Sequence, residues 1–199
     1  MEKFRVLLLG AGGKTGSEIR QLFVKDPQIE LTSVARRPLT QYPSEKVELG
    51  DVTDLSFLEK VMKNQDIVIA SLSGDLLSEA KTIHEAAIKT KSTRVVWLTG
   101  VGVHREATGA YGSMLNNLAT VDPDFVKAAE TIAQSDLKYT LLRLPQLKME
   151  HIEREYQIKR QNEAPVLTSI SRENVAKFLL FLTKHSDQYI KESISISDR

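Results

Sequence analysis

Three observations predict an α/β fold built on a doubly wound parallel sheet with helices on both faces. Short apolar runs alternate along the chain with stretches of helical periodicity, the pattern of successive βαβ units. The runs Leu7-Leu8-Leu9 and Ile67-Val68-Ile69 are continuously apolar rather than alternating, as strands covered on both faces are. The first run ends in Gly10-Ala11-Gly12-Gly13-Lys14-Thr15-Gly16, and a helical pattern follows at once.

The elements follow in order. Residues 4–9 form the first strand. The helix after the glycines carries Ile19, Leu22 and Phe23 on one face, and Asp26-Pro27 stops it. Residues 30–35 are the second strand, which ends in Arg36-Arg37-Pro38. Residues 39–44 are polar, hold Pro43 and read as a loop. A short third strand, 46–49, leads into Gly50-Asp51-Val52-Thr53-Asp54, where Thr53 or Asp54 can cap a helix facing inward with Leu55, Leu58 and Val61 or Met62. The fourth strand, 66–70, ends in the loop Ser71-Leu72-Ser73-Gly74, and the next helix turns Ala80, Ile83, Ala87 and Ile88 inward. After the fifth strand, 94–98, the glycine-containing region 99–122 reads as a long loop, of the length that is usually functional. Asp122-Pro123 opens a helix with aspartate as cap and proline at the first helical position, its inner face Phe125, Ala128, Ala129 and Ile132. The sixth strand, 139–144, ends at Pro145.

The last third is less regular. Residues 148–160 read as a short charged helix and 164–168 as a strand. Ser171 opens a helix with Val175, Phe178, Leu179 and Leu182 inward, and 189–196 alternates as a half-buried strand. Right-handed crossovers between parallel strands favour winding in both directions from the centre, the Rossmann arrangement. One domain over residues 1–199 is expected, with the last third adding a small extension on the substrate side.

Bulk composition removes several function classes. With 41% apolar and 27% charged residues in 199, the chain has the make-up of a globular protein with a sizeable core. A net charge of +1 without a basic stripe gives no case for nucleic acid as a partner. There is no cysteine, hence no disulfide, thiolate metal site or cysteine nucleophile, and the four histidines show no metal-ligand spacing. No apolar run reaches the roughly 20 residues of a membrane span and no signal peptide is visible, so a cytoplasmic location is expected.

The glycine turn carries the first chemistry. A helix N-terminus leaves N–H groups unpaired at a partly positive end, which suits a phosphate. Gly10-x-x-Gly13-x-x-Gly16 is close to the dinucleotide fingerprint with shifted glycines, and Gly10-x-Gly12 is followed by Thr15 in place of the last glycine. Gly13-Lys14-Thr15 resembles the end of a P-loop, but the glycine required five residues earlier is Leu8, so that reading fails.

Ligands of such sheets bind beyond the carboxyl ends of the strands. After the second strand, where a carboxylate would hold the ribose 2′-hydroxyl of NAD, the chain has Arg36 and Arg37. Guanidinium groups match a 2′-phosphate, so the sequence points to NADP (as NADPH) over NAD; the competing reading is two solvated arginines at a strand end. Asp51 can accept from an adenine amino group or serve only as a turn residue. Ser71, Ser73 and Thr99 would face the ribose and nicotinamide, though small hydroxyl residues also form ordinary turns.

No catalytic residue is identified. Tyr-x-x-x-Lys, the proton-donating pair of short-chain dehydrogenases, occurs only as Tyr42 and Lys46 beside Pro43, on the adenine side. Tyr139 and Tyr156 have Arg143 and Arg160 at the lysine position, and the helix after the fifth strand holds Phe125 and Lys127 but no tyrosine. His104, Tyr111, His151 and Tyr156 remain as other donors, each more simply a surface residue; His84 and His185 are given no role.

With these residues in place the chain resembles the atypical short-chain dehydrogenases of the NAD(P)H-binding NmrA-like group, which includes biliverdin reductase B/flavin reductase. The resemblance rests on Leu9 to Gly16, Ala35-Arg36-Arg37-Pro38, Gly50 to Asp54, Ser135 to Pro145, and Ile170 to Ala176, nearly the whole chain. It implies that the glycine turn, the two arginines and Asp51-Val52 hold the cofactor's adenosine end. It implies that Ala70, Ser71 and Thr99 line the nicotinamide half, with Pro145-Gln146-Leu147 nearby. Leu144 stands where the group usually has proline, and Gly12 where many relatives have threonine. Two functions are then open: an NADPH-dependent reductase of a small planar acceptor such as a flavin or quinone, or a non-catalytic NADP(H)-binding redox sensor. An epimerase or isomerase is a third reading that no acid/base pair supports. The expected partner is a small-molecule acceptor, with monomer and homodimer both open.

Overall fold

The computed structural model describes residues 3–91, 94–149 and 155–199. Six parallel strands come first: β1 (Phe4–Leu9), β2 (Ile29–Ala35), β3 (Glu45–Leu49), β4 (Ile67–Ala70), β5 (Arg94–Gly100) and β6 (Lys138–Leu144). Helices α1 (Lys14–Phe23), α2 (Leu55–Met62), α3 (Leu76–Thr90), α4 (Gly109–Val121) and α5 (Pro123–Ala133) lie between them. The remainder holds β7 (Leu147–Lys148), β8 (Tyr156–Arg160), β9 (Ile170–Ser171), α6 (Arg172–Lys184) and β10 (Glu192–Asp198). The main sheet runs β3-β2-β1-β4-β5-β6-β10-β8. Only β8 is antiparallel, on β10, and β7 pairs with β9 in a separate parallel pair.

Strand order reverses between β1 and β4: β1 bonds β2 on one edge and β4 on the other, and the chain winds outward from there in both directions. That junction is the switch point where such sheets open a crevice. The sheet separates two apolar cores. One packs Trp97, Val68 and Leu141 against α2, α3 and α5, through Leu58, Met62, Ile83 and Ile132. The other packs Val6, Leu8 and Leu142 against α1 and α6, through Ile19, Phe23, Phe178 and Leu182. Alternate residues of each central strand therefore enter opposite cores, which is why these strands are apolar throughout.

Local signals place several starts. The Asp54 carboxylate accepts from the Phe57 amide at 3.1 Å to cap α2. Asp122 does the same for Phe125 at 3.2 Å, with Pro123 opening α5. The Ser171 hydroxyl accepts from the Asn174 amide to cap α6.

Five expectations are corrected. Ile88 is exposed, because the buried stripe of α3 runs through Ala80, Ile83, Ala86 and Ala87 and position 88 turns past it. Region 99–122 is not a loop throughout: α4 occupies most of it, burying only Gly112 and Ala119. Residues 156–160 form β8 rather than helix, with Tyr156 and Ile158 against the second core; 150–154 of the expected helix lie outside the described residues. Residues 164–168 form no strand, and the short strand nearby is β9. β10 is buried on both faces: Ile194 and Ile196 enter the second core, and on the other face the Ser193 hydroxyl meets His104, so its serines sit inside rather than facing water.

Candidate functional site

The turn after β1 is held by close backbone packing. Gly10 has φ +83°, and a Cβ there would lie 2.0 Å from the Ser71 carbonyl oxygen. Only glycine allows that conformation and that approach to the end of β4. A Cβ on Gly16 would lie 2.3 Å from the Gly10 carbonyl oxygen, so α1 presses directly onto the turn. Gly13 is the N-cap of α1, and no side chain caps the helix or places an acid in its first turn. The positive end of α1 is thus left for an external anion, beside exposed Lys14 and half-buried Thr15.

A cleft of about 360 Å³ opens at this point, beyond the carboxyl ends of β1, β4, β5 and β6. Gly13, Lys14 and Thr15 form one side and Ser71, Leu72 and Ser73 the next. Leu76 of α3, Phe125 of α5, and Leu98, Thr99 and Gly100 of β5 form the floor and far wall. Leu144, Pro145 and Leu147 close the β6 side. Of the residues singled out from sequence, Gly13, Lys14, Thr15, Ser71, Thr99 and Pro145 border the cleft together. The buried Thr99 hydroxyl has no hydrogen-bond partner among the described residues. An unsatisfied polar atom at the wall of a cleft fits a polar group supplied by a ligand.

The other expected residues lie around it. Gly10 and Gly16 shape the turn, while Gly12 is exposed on it. Val52 and Ala70 are core residues, so their side chains pack and do not reach out. Arg36 and Arg37 are exposed at the end of β2, and the Gly50 amide donates to the Ala35 carbonyl at 3.1 Å, drawing the end of β3 alongside. Asp51 Oδ1 accepts from the Thr53 amide and hydroxyl at 2.9 and 2.8 Å, the geometry of a turn residue. Those bonds, and then the charge of Arg36, hold its carboxyl below the ordinary range.

The loop after the arginines is pinned by a buried pair. Arg20 Nε and Nη2 donate to the two Glu45 carboxylate oxygens, each at 2.6 Å, and Ser33 also donates to Glu45. Arg20 reaches the Thr40 carbonyl at 2.8 Å and lies over the Tyr42 ring. Burial alone would raise the Glu45 carboxyl, but the bonds from Arg20 and Ser33 outweigh it and the net shift is downward. The sequence showed these residues only as scattered polar positions.

No tyrosine or histidine borders the cleft among the described residues. His104 is turned toward β10, its Nε2 2.9 Å from the Ser193 hydroxyl, and burial lowers its pKa. Tyr111 is exposed on α4, and Tyr156 packs edge-on against Phe178. Tyr42 lies beneath Arg20, and His151 lies outside the described residues. Two residues were hidden within helical stripes. Phe125 borders the cleft as well as the core. Glu79 is a buried carboxyl on α3 whose Oε2 lacks a partner; burial raises its pKa.

Comparison with known proteins agrees with this architecture. The chain is similar to a Rossmann-fold NAD(P)-binding family protein from Shigella flexneri, at 29% identity and TM-score 0.83, over 99% of this chain and 94% of that one. It shares its fold with a wide-type short-chain dehydrogenase/reductase from Veillonella parvula solved in complex with NADP, at 20% identity and TM-score 0.85, over 100% and 95% of the two chains. It also shares its fold with the oxidoreductase ylbE from Lactococcus lactis, at 19% identity and TM-score 0.83, over 98% and 91%. No curated protein matches the sequence. Residues 10–186, from the glycine turn to the end of α6, match the family described as NAD(P)H-binding, and the chain belongs to that family.

Proposed function

We propose that the protein is an NADPH-dependent oxidoreductase that reduces a small planar acceptor, a flavin or a quinone, and that it stands within the NmrA-like, flavin-reductase-like group. The observation that carries this reading is the apolar part of the cleft lining, Leu76, Phe125, Leu144, Pro145 and Leu147, with no tyrosine, histidine or carboxyl lining the cleft among the described residues. Reduction of an isolated carbonyl needs a positioned acid. A flavin or quinone takes hydride into a delocalised ring and its proton from water, so an apolar slot suffices.

When bound, NADPH supplies the hydride. The residues here bind and orient. Gly10, Gly12, Gly13, Lys14, Thr15 and Gly16 present the uncapped end of α1 to the pyrophosphate. Arg36 and Arg37 take the 2′-phosphate, and Asp51 and Val52 flank the adenine. The main chain at Ala70, with Ser71, Thr99 and Pro145, lines the nicotinamide half, and Thr99 Oγ1 is free to bond it. The Veillonella relative, which binds NADP, supports the phosphorylated form.

The test is loss of NADPH absorbance with FMN, riboflavin or menadione added. Acceptor-dependent oxidation of one NADPH per acceptor reduced is expected. Saturable NADPH binding with no turnover on any of the three would contradict the reading.

A further inference from the structure

Phe125 is the single aromatic ring bordering the cleft among the described residues. Its place is set from two directions. Asp122 caps α5 by accepting from the Phe125 amide, and Pro123 stiffens the same turn. Across from it β5 ends in Gly100, where an added Cβ would stand 3.3 Å from the Phe125 Cζ and 3.7 Å from Cε2. The ring therefore occupies space that any side chain at position 100 would crowd. Its inner side packs on the core of Trp97 and Ile132, and its remaining surface borders the cleft, as do Thr99 and Pro145.

We propose that Phe125 is the acceptor-specificity residue: its ring is the platform on which the planar ring of the acceptor stacks. This rests on the oxidoreductase reading above. The leucines of the wall exclude water from any apolar ligand of suitable size, but they have no π face. An aromatic ring selects for another flat ring through offset stacking, beyond the area it buries. Gly100 contributes by leaving the ring seated against the end of β5 rather than pushed into the slot.

The test compares the wild type with Phe125→Leu, Phe125→Tyr and Gly100→Ala, using FMN and menadione as acceptors and titrating NADPH separately. Phe125→Leu is expected to raise the KM for FMN about two- to tenfold, the range an aromatic stacking contact spans. Its Kd for NADPH should stay within about twofold. Phe125→Tyr keeps the π face and should keep the wild-type KM. Gly100→Ala forces the ring outward by a few tenths of an ångström and should penalise the tricyclic flavin more than the bicyclic quinone. An unchanged KM in Phe125→Leu, or a rise in acceptor KM and NADPH Kd by the same factor, would overturn the assignment. If Phe125→Leu does not fold, equal losses on both acceptors in Gly100→Ala would overturn it. A wild type that reduces neither acceptor fails the oxidoreductase reading itself, and the platform with it.

Discussion

Replacing Arg36 and Arg37 together by alanine is expected to weaken NADPH binding about 100-fold while NADH binding changes less than about threefold. The two nucleotides differ only in the 2′-phosphate, so the ratio isolates that group. Each charge-assisted bond from guanidinium to phosphate contributes about 1.5–3 kcal/mol, and two of them lost amount to roughly two decades in Kd. Both side chains are exposed at the end of β2, so their removal leaves no cavity, although the buried Glu79 carboxyl loses the favourable charge of Arg36. The β2–β3 loop keeps its shape because Arg20 and Glu45 hold it from beneath. Calorimetric titration of both nucleotides checks this. Equal weakening of NADPH and NADH would show that the arginines do not read the phosphate.

Arg143→Met is expected to cost about 3–5 kcal/mol of folding stability, a large share of the 5–15 typical of a whole domain. Arg143 lies in β6 with no exposed surface, and its Nη1 donates to Glu106 Oε1 at 2.6 Å. Glu106 also accepts from the amides of Gly102 and His104, at 3.2 and 3.0 Å. One carboxylate thus ties the segment after Gly100 to the strand that continues into Leu144 and Pro145, two walls of the cleft. Burial pushes the Glu106 carboxyl up, but the bond from Arg143 and the backbone amides outweigh it, so its pKa falls below the ordinary glutamate range. A lowered carboxyl contributes stability that is present above its unfolded value and lost as pH falls through its folded value. The pair therefore stabilises at neutral pH and fails in acid. Methionine fills most of the arginine's volume but leaves that carboxylate buried without a counter-charge. Urea denaturation at neutral pH measures the loss, and adding Glu106→Gln, which keeps an acceptor without the charge, should recover part of it. A loss below about 1 kcal/mol would show that water or relaxation replaces the arginine.

The parts of this fold that were legible in sequence are those where local chemistry and burial agree. The apolar runs of β1 and β4, the glycine turn between β1 and α1, the Asp54 and Asp122-Pro123 caps and the Ser171 start each follow from a short-range rule. Elsewhere tertiary context overrides the pattern. Helix α4 buries only Gly112 and Ala119 and turns Tyr111, Met114, Leu118 and Val121 outward, so no inward apolar stripe announces it. In β8 the alternation of Tyr156 and Ile158 with Gln157 and Lys159 is masked by the neighbouring charges, and its pairing with β10 is fixed by residues more than thirty positions away. The serines of β10 look half-exposed because nothing local shows that His104, 89 residues earlier, will pack against Ser193.

The candidate site divides the same way. The turn glycines, Ser71 and Thr99 were legible as cleft residues because a parallel sheet presents its strand ends together and strand ends can be counted along a sequence, whereas Pro145 entered through the family resemblance. Phe125 was not legible, because it lies on a helix face that reads as core and only the packing shows which turn of that helix meets the cleft. The Arg20–Glu45 and Arg143–Glu106 pairs join positions 25 and 37 residues apart, a relation that a single sequence does not display.

In the proposed function NADPH lies across the carboxyl ends of the strands, with its phosphate end at Arg36 and Arg37 and its nicotinamide at Thr99. A crystal structure of the complex with NADP⁺ tests it most directly. The 2′-phosphate is expected on the two guanidinium groups, the pyrophosphate at the N-terminus of α1, and the nicotinamide between Thr99 and Pro145 with its C4 open toward Phe125. A 2′-phosphate in solvent away from both arginines, or a nicotinamide outside the cleft, would contradict it.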